Sequence, residues 1–536
     1  FLYVPEQWKR DFAALRSKNE LYSQIAQAFY VPLILCALGV LIQAIRKKQV
    51  PWRPLILMSA AVGALMVASQ WNNLPFFMDN APTSAPYRET MAIGLLLAIG
   101  AGVGVFFYVV LAAAAGEPLY RAARPGGLTL RNLATARGIQ TREFFRATVV
   151  GYGFAAAHLA FVVAFYLIGR RFGVWAPQDI QYSDLLSTSL PWIYPLTISI
   201  LAATSEEFWF RLFAIPLLKK WLRSTWIAVL IPAFVWGFLH ANYPQQPGYI
   251  RGVEVGVIGV AAGFLMLRYG IGATLIWHYT VDAVMIGSYL LRSESWYFRL
   301  SGVAVGGAVL APFLVSLVLY FRRGGFVVEE APAAEPDAPP ASAEVKPEAR
   351  ESIAPHLAAK WLYIAAAAAG LIALAARPHE FGGFVRLTLT RDRAAQIAGD
   401  EMRARGVNLA EWRSVSVFVA DLRVREFEYL RRVAGDDAAN RTVGARQLTG
   451  LWRVRYFKPL QKEEWRVWVR SDAGVIRVDH VLDEKAAGAR LTPDQARNRA
   501  AAYLRRAQSI QVDSLRLVEA NQEKRDNRTD HTLVWE

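Results

Sequence analysis

The chain has 536 residues, of which 54% are hydrophobic and 19% charged, with a net charge of +16 and a single cysteine. Its mean hydropathy is +0.22, and its charged fraction falls below the roughly 25% of ordinary soluble domains. One cysteine excludes a disulfide framework and a thiol metal cluster. The basic surplus would suit nucleic acid, but where those residues fall assigns them another role.

The opening FLYVPEQWKR has no Met and no signal-peptide pattern, and the closing RTDHTLVWE stops on a strand-like run, so both ends read as truncated. Apolar windows then recur at 29–45, 54–70, 91–116, 148–169, 191–203, 226–239, 253–267, 271–291 and 302–321. Several reach the ~20 residues that cross a hydrocarbon core, and the shorter ones suit tilted or interior helices. Basic residues gather in alternate connections: Arg46, Lys47, Lys48 and Arg53; Arg121 to Arg146; Lys219, Lys220 and Arg223; Arg322 and Arg323. That is the positive-inside pattern, so the charge sets topology and no nucleic-acid partner is expected. The fold class expected is an all-α polytopic membrane bundle of about 8–10 transmembrane helices over residues 1–326, in a plasma or inner membrane.

Residues 327–356 are rich in Pro, Ala and Glu and read as an extended linker. An alanine-rich apolar segment follows at 357–376 and is expected to span. Residues 377–488 read as a soluble α+β module, with helix-like LTRDRAAQIAGDEMRARGVNL followed by the alternating runs LWRVRYFKP, EEWRVWVRS and GVIRVDHVLDE. LTPDQARNRAAAYLRRAQSIQV, starting at Leu491, repeats the helix with its Thr N-cap, so 489–536 opens a second similar module. The unit resembles the small modules called PepSY. If 357–376 spans, this part lies on the extracytoplasmic side.

The residues that carry chemistry lie in the windows after residue 190. TSEEFWFRLF places Glu206, Glu207 and Arg211 in an apolar helix. A charge at the bilayer centre costs about 2.5–3.5 kcal/mol on the insertion scale, so these three must pair or face a polar interior. Glu207 and Arg211 are four apart and share a helix face, whereas Glu206 is rotated about 100° away. The expectation is a Glu207–Arg211 brace and a Glu206 free for chemistry. WGFLHANY places His240 at a helix end, and WHYTVDAV places His278 and Asp282 four apart on one face. Each feature alone suits a structural reading: a salt bridge, a hydrogen-bonded core histidine, a local pair. Three in successive helices point to one polar pocket.

The motifs Glu206-Glu207-Phe-Trp-Phe-Arg211, Trp236-Gly-Phe-Leu-His240 and His278-Tyr-Thr-Val-Asp282, in that order, resemble the CPBP family of CAAX-processing or bacteriocin-processing membrane proteins, also called ABI. The resemblance covers about residues 190–295, with Trp236 where Phe is usual and Asp282 where the eukaryotic CAAX endopeptidases have Asn. It implies an intramembrane glutamic endopeptidase that uses no metal or other cofactor. Glu206 would be the general base and His240 would bind water. His278 and Asp282 would stabilise the oxyanion or orient the pocket, with Asp282 one turn on able to fix the His278 tautomer or keep it charged, while Glu207 and Arg211 support. The implied partners are the bilayer and a protein or peptide substrate, with or without a lipid modification, cut near its C-terminus or its membrane-proximal part. Three other readings fit the same residues. Two histidines with carboxylates suit a zinc protease, although HExxH is absent. A non-catalytic scaffold or immunity protein would work through its C-terminal module. A proton-relay transporter ranks below both, because no inverted repeat is visible.

Overall fold

The computed structural model describes residues 4–176, 183–327, 388–420, 424–446, 450–508 and 511–536, with a few positions between 364 and 372. The linker beyond Val327 and most of the expected span at 357–376 therefore lie outside the described residues.

The N-terminal part is helical: α1 (Glu6–Ala28), α2 (Tyr30–Arg46), α3 (Trp52–Asn72), α4 (Leu74–Asn80), α5 (Tyr87–Ala123), α6 (Ala136–Ile139), α7 (Arg142–Gly169), α8 (Ile193–Glu206), a π-helical stretch Glu207–Ala214, α9 (Ile215–Leu222), α10 (Thr225–Leu239), α11 (Ile250–Tyr269), α12 (Ile271–Leu291) and α13 (Trp296–Arg323). Six of these rods are long and apolar enough to cross a membrane: α1–α2 together, α3, α5, α7, α11 and α13. Helix α10 is apolar but only 15 residues long. The rods α8–α9 and α12, which carry the ionisable motifs, pack among the six without meeting the same test. The larger number of spans read from the windows counts these interior helices as well.

Small residues let the rods touch through backbone, as membrane helices without a hydrophobic drive between them require. A Cβ on Gly63 of α3 would sit 2.7 Å from the Gly102 carbonyl of α5. One on Gly237 of α10 would sit 2.4 Å from the Gly252 carbonyl of α11. Large apolar side chains such as Leu35, Leu57, Leu96, Phe107 and Val303 are over 60% exposed on the outside, where lipid tails would cover them.

Contacts between connections sort the two faces of the bundle. On the basic side Thr141 bridges Val327, and Arg124 donates to the Leu267 carbonyl at 3.2 Å. On the other side Trp175 bridges Gln246, and the Asn72 side chain exchanges two hydrogen bonds with the Leu190 backbone at 2.8 and 2.9 Å.

The C-terminal part is α+β. Helix α14 (Arg391–Ala404) begins at Thr390, whose hydroxyl accepts from the Arg393 amide. It packs Ala394, Ala398 and Met402 on an antiparallel sheet of order β1-β2-β3-β4: Arg413–Val419, Leu451–Phe457, Glu464–Val469 and Val475–Val481. Strands β2 to β4 lie in the three runs read as alternating. Strand β1 and the helices α15 (Val424–Ala434) and α16 (Asp436–Arg446), inserted before β2, were not anticipated from sequence. The second helix-first unit is α17 (Pro493–Gln508) with the hairpin β5 (Leu517–Lys524) and β6 (Thr529–Trp535). Thr492 accepts from the Gln495 amide at its start, as Thr390 does in the first.

The sheet sits on the bundle face opposite the basic connections. Arg455 is buried and donates through Nη1 to the carbonyls of Met78, Asp79 and Ala81, each at 2.9 Å. Its Nε reaches Glu464 at 2.6 Å, and neighbouring Arg453 pairs with buried Asp79. The Leu460 amide donates to Thr83 O at 2.7 Å and the Phe418 amide to Ser187 Oγ at 2.7 Å. Leu185, Leu186, Leu290 and Phe298 of the bundle share one apolar cluster with Phe418, Trp452 and Val454 of the sheet.

Candidate active site

The helix that carries Glu206 and Glu207 loosens just where the two carboxylates stand. Thr204 and Ser205 turn their hydroxyls back onto the carbonyls of Ile200 and Leu201, both at 2.7 Å, and compete with the main-chain ladder. The following turns widen to the i→i+5 pattern over Glu207–Ala214, a rare geometry found mostly at functional sites. Every side chain of that stretch is buried.

The two glutamates part company here. Glu207 is fully buried, and its Oε1 receives Arg211 Nη1 at 3.0 Å and His278 Nδ1 at 2.9 Å. Glu206 keeps 27% of its side chain exposed. Its Oε2 accepts a hydrogen bond from the Trp236 indole Nε1 and lies 3.8 Å from His278 Nε2. Asp282, 28% exposed, holds Oδ2 3.6 Å from the same nitrogen. Thus Glu206, His278 and Asp282 face one another across gaps slightly longer than a hydrogen bond, a spacing that suits a bridging small molecule.

His240 follows α10 in the turn where that helix ends. Its Nδ1 lies 2.9 Å from the Trp236 carbonyl, so that nitrogen carries the proton and Nε2 keeps its lone pair. Trp236 therefore joins the groups: its carbonyl orients His240, its indole holds Glu206, and its ring lies 4.0 Å beneath the Arg211 guanidinium. The position read only as an aromatic departure from a family pattern is a hydrogen-bond donor in the middle of the site.

His278 Nδ1, the ring nitrogen at hydrogen-bond distance, belongs to the contact with Glu207, while Asp282 stands 3.6 Å from Nε2. Glu207 is not only the partner of Arg211 but the anchor of His278, a link between α12 and the π-helical stretch that spacing within one helix cannot show.

The remaining scaffold explains why these groups meet. Gly270, at φ +87°, turns the chain into α12, and the Ile271 amide, an orphan at the helix start, donates to Tyr120 Oη at 2.9 Å. The backbone contact of Gly237 with Gly252 brings the end of α10 against the start of α11. Buried Asn19 of α1 donates to the carbonyls of Ala241 and Tyr243 at 3.0 and 2.8 Å, holding the turn after His240. Next to it Arg251 pairs with fully buried Glu254, which also accepts from Tyr166 at 3.0 Å. Asn19, Arg251 and Glu254 escaped the sequence reading. The i, i+3 charge pair at the head of an apolar window was the available signal for the last two. Among the described residues no group of three or more His, Cys, Asp or Glu side chains is arranged to hold a metal ion.

Residues 188–284 match the family model described as Rce1-like, type II CAAX prenyl endopeptidase. They contain all six motif residues, and the CPBP resemblance at about 190–295 covers nearly the same stretch. A curated relative, the sporulation-killing factor biosynthesis protein SkfC of Bacillus subtilis (strain 168), is 26% identical over 105 residues, which are 20% of this chain and 20% of that protein. No solved structure matches. The matched family is described as one of CAAX prenyl endopeptidases, and the match spans less than a fifth of this chain. The C-terminal sheet lies outside the matched residues.

Proposed function

We propose that the chain is an intramembrane endopeptidase in which Glu206 activates water without a metal ion. The observation that carries this reading is the division of the motif: Glu207 and Arg211 are sealed, while Glu206 retains an accessible carboxylate facing His278 and Asp282. In the proposed reaction, water held by Glu206 and the free Nε2 of His240 attacks the scissile carbonyl. Glu206 takes its proton and later passes it to the leaving amine. His278 can donate to the oxyanion through Nε2 only while it carries both ring protons, since Nδ1 already donates to Glu207. Asp282 beside it orients that ring or the incoming chain. A positioned base contributes typically 10²–10⁴-fold, and one oxyanion donor about 2.7–4 kcal/mol.

The substrate class is a protein or peptide, cut near its C-terminus or close to the membrane, with or without a lipid group. The alternation of basic connections supports placing the sheet-bearing face, and with it the C-terminal module, outside the cytoplasm. The test compares protein termini in membranes containing equal amounts of the wild-type chain and Glu206→Gln. New termini that fall 10²–10⁴-fold in the variant are expected. Identical sets of termini would sink the protease reading. Cleavage lost to a chelator and restored by zinc would instead overturn the metal-free mechanism.

A further inference from the structure

Between the bundle and the C-terminal sheet lies a cavity of about 810 Å³, within the ~300–1,000 Å³ range of small-molecule sites. Its floor is made of helix ends: Trp71 and Asn72 close α3, Tyr87 opens α5 and Ile193 opens α8. Its roof comes from the other part of the chain, by Val415 of β1 and Phe457 of β2. Helix α3 is one of the membrane-crossing rods, so the floor lies where hydrocarbon gives way to headgroups. Tryptophan and tyrosine at that depth are characteristic of the interface.

The charge of the lining is one-sided. Among the described residues it contains no Asp or Glu, and its one cation is Arg413. The Arg413 guanidinium lies 3.9 Å over the Tyr87 ring, and among the described residues it makes no ion pair. The nearby Lys458, by contrast, is already paired with Glu411 at 2.8 Å. The Asn72 amide already donates to and accepts from the Leu190 backbone. Few polar groups therefore converge on the space, which argues against a sugar or nucleotide, and the roof leaves no room for a folded partner. An apolar, aromatic chamber at the membrane interface with one unpaired guanidinium matches an amphiphile with a negative head.

We propose that this cavity binds one anionic phospholipid, with acyl carbons against α3 and α8 and the phosphate at Arg413. The lipid would thereby join the two parts of the chain at the membrane surface. This site lies at the α8 end remote from Glu206: Ile193 is thirteen residues earlier, about 20 Å by the helical rise.

Native mass spectrometry of the full chain in detergent, with phosphatidylglycerol or phosphatidylcholine added, tests the idea. The expected result is one retained phosphatidylglycerol per chain, about fivefold preferred over phosphatidylcholine, the ratio one basic residue near an anionic headgroup gives. Arg413→Gln should abolish the preference, and Ala68→Trp, which takes up part of the cavity, should lower the amount of lipid retained. Thermal unfolding without added lipid checks that both variants remain folded. Equal retention of the two lipids by the wild-type chain would overturn the proposal, as would an undiminished preference in folded Arg413→Gln.

Discussion

The chain buries two kinds of ionic cluster, and they are built to different standards. At the interface with the sheet, Arg455 spends its donors on three carbonyls and Glu464, and Arg453 closes on Asp79; none of these four side chains has a buried polar atom without a partner. In the bundle, Glu207 Oε2 and Arg211 Nη2 are buried without partners, as are Glu254 Oε1 and Arg251 Nε beside His240. Glu206 and Asp282 stand across gaps beyond hydrogen-bond length from His278. Buried polar groups in native structures are normally satisfied, and the exceptions call for an explanation. The interface cluster is complete as it stands and reads as mortar. The bundle cluster leaves polar atoms unpaired, and in the proposed reaction it is the cluster that receives water and a peptide bond.

The contrast is broken or sharpened by changes on each side. The largest expected effect is Glu206→Gln, which removes proteolysis by 10²–10⁴-fold while leaving thermal unfolding within about 1 kcal/mol of wild type, because the carboxylate is partly exposed. An unfolding loss as large as the activity loss would move Glu206 into the structural class. Arg455→Met and Arg211→Met each take a buried guanidinium from a buried carboxylate, Glu464 and Glu207, and should destabilise by about 3–5 kcal/mol. Hydrogen exchange distinguishes them: Arg455→Met should expose residues 78–83 and β2, and Arg211→Met the π-helical stretch. Protection lost over the same segments in both variants would deny that the clusters are separate.

Trp236→Phe supplies the family's usual aromatic and removes only the indole donor to Glu206. A hydrogen bond to a charged group contributes about 1.5–3 kcal/mol, so a roughly 10–150-fold fall in kcat with little change in KM is expected. A change confined to KM would make Trp236 a substrate contact rather than a positioning residue. The smallest effect lies far from both clusters. Hydrogen bonds from Arg528, then Arg525, hold the Asp530 carboxyl of the β5–β6 hairpin below the usual range. Because its folded value is depressed, its stabilisation is present above the ordinary carboxylate range and is lost as pH falls through the folded value. The group is exposed, so the change stays below about 1 kcal/mol. Asp530→Asn should flatten that part of the hairpin's pH-dependent exchange, and an unchanged profile would assign it to another group.

Much of this arrangement was legible in the residues themselves. Apolar windows and the alternation of basic connections gave the bundle, and period-two runs gave β2 to β4, because both are local patterns set by solvent on one side of the chain. Spacing alone separated Glu206 from the Glu207–Arg211 pair, since residues four apart share a helix face whatever surrounds them. Strand β1 and helices α15 and α16 were missed; RSVSVFV is as long as β2, and it is pairing with β2 that decides its state.

What the sequence determined by itself was therefore the class of solvent each segment meets and which charges share a face. Only the tertiary structure decided that Glu207 rather than Asp282 anchors His278, that Trp236 is a donor, and that Arg455 seals the sheet to the bundle. Those contacts join residues 30 to 377 positions apart in the chain. Their existence depends on how helices cross and which oxygen is left uncovered, a property of packing that no local periodicity carries.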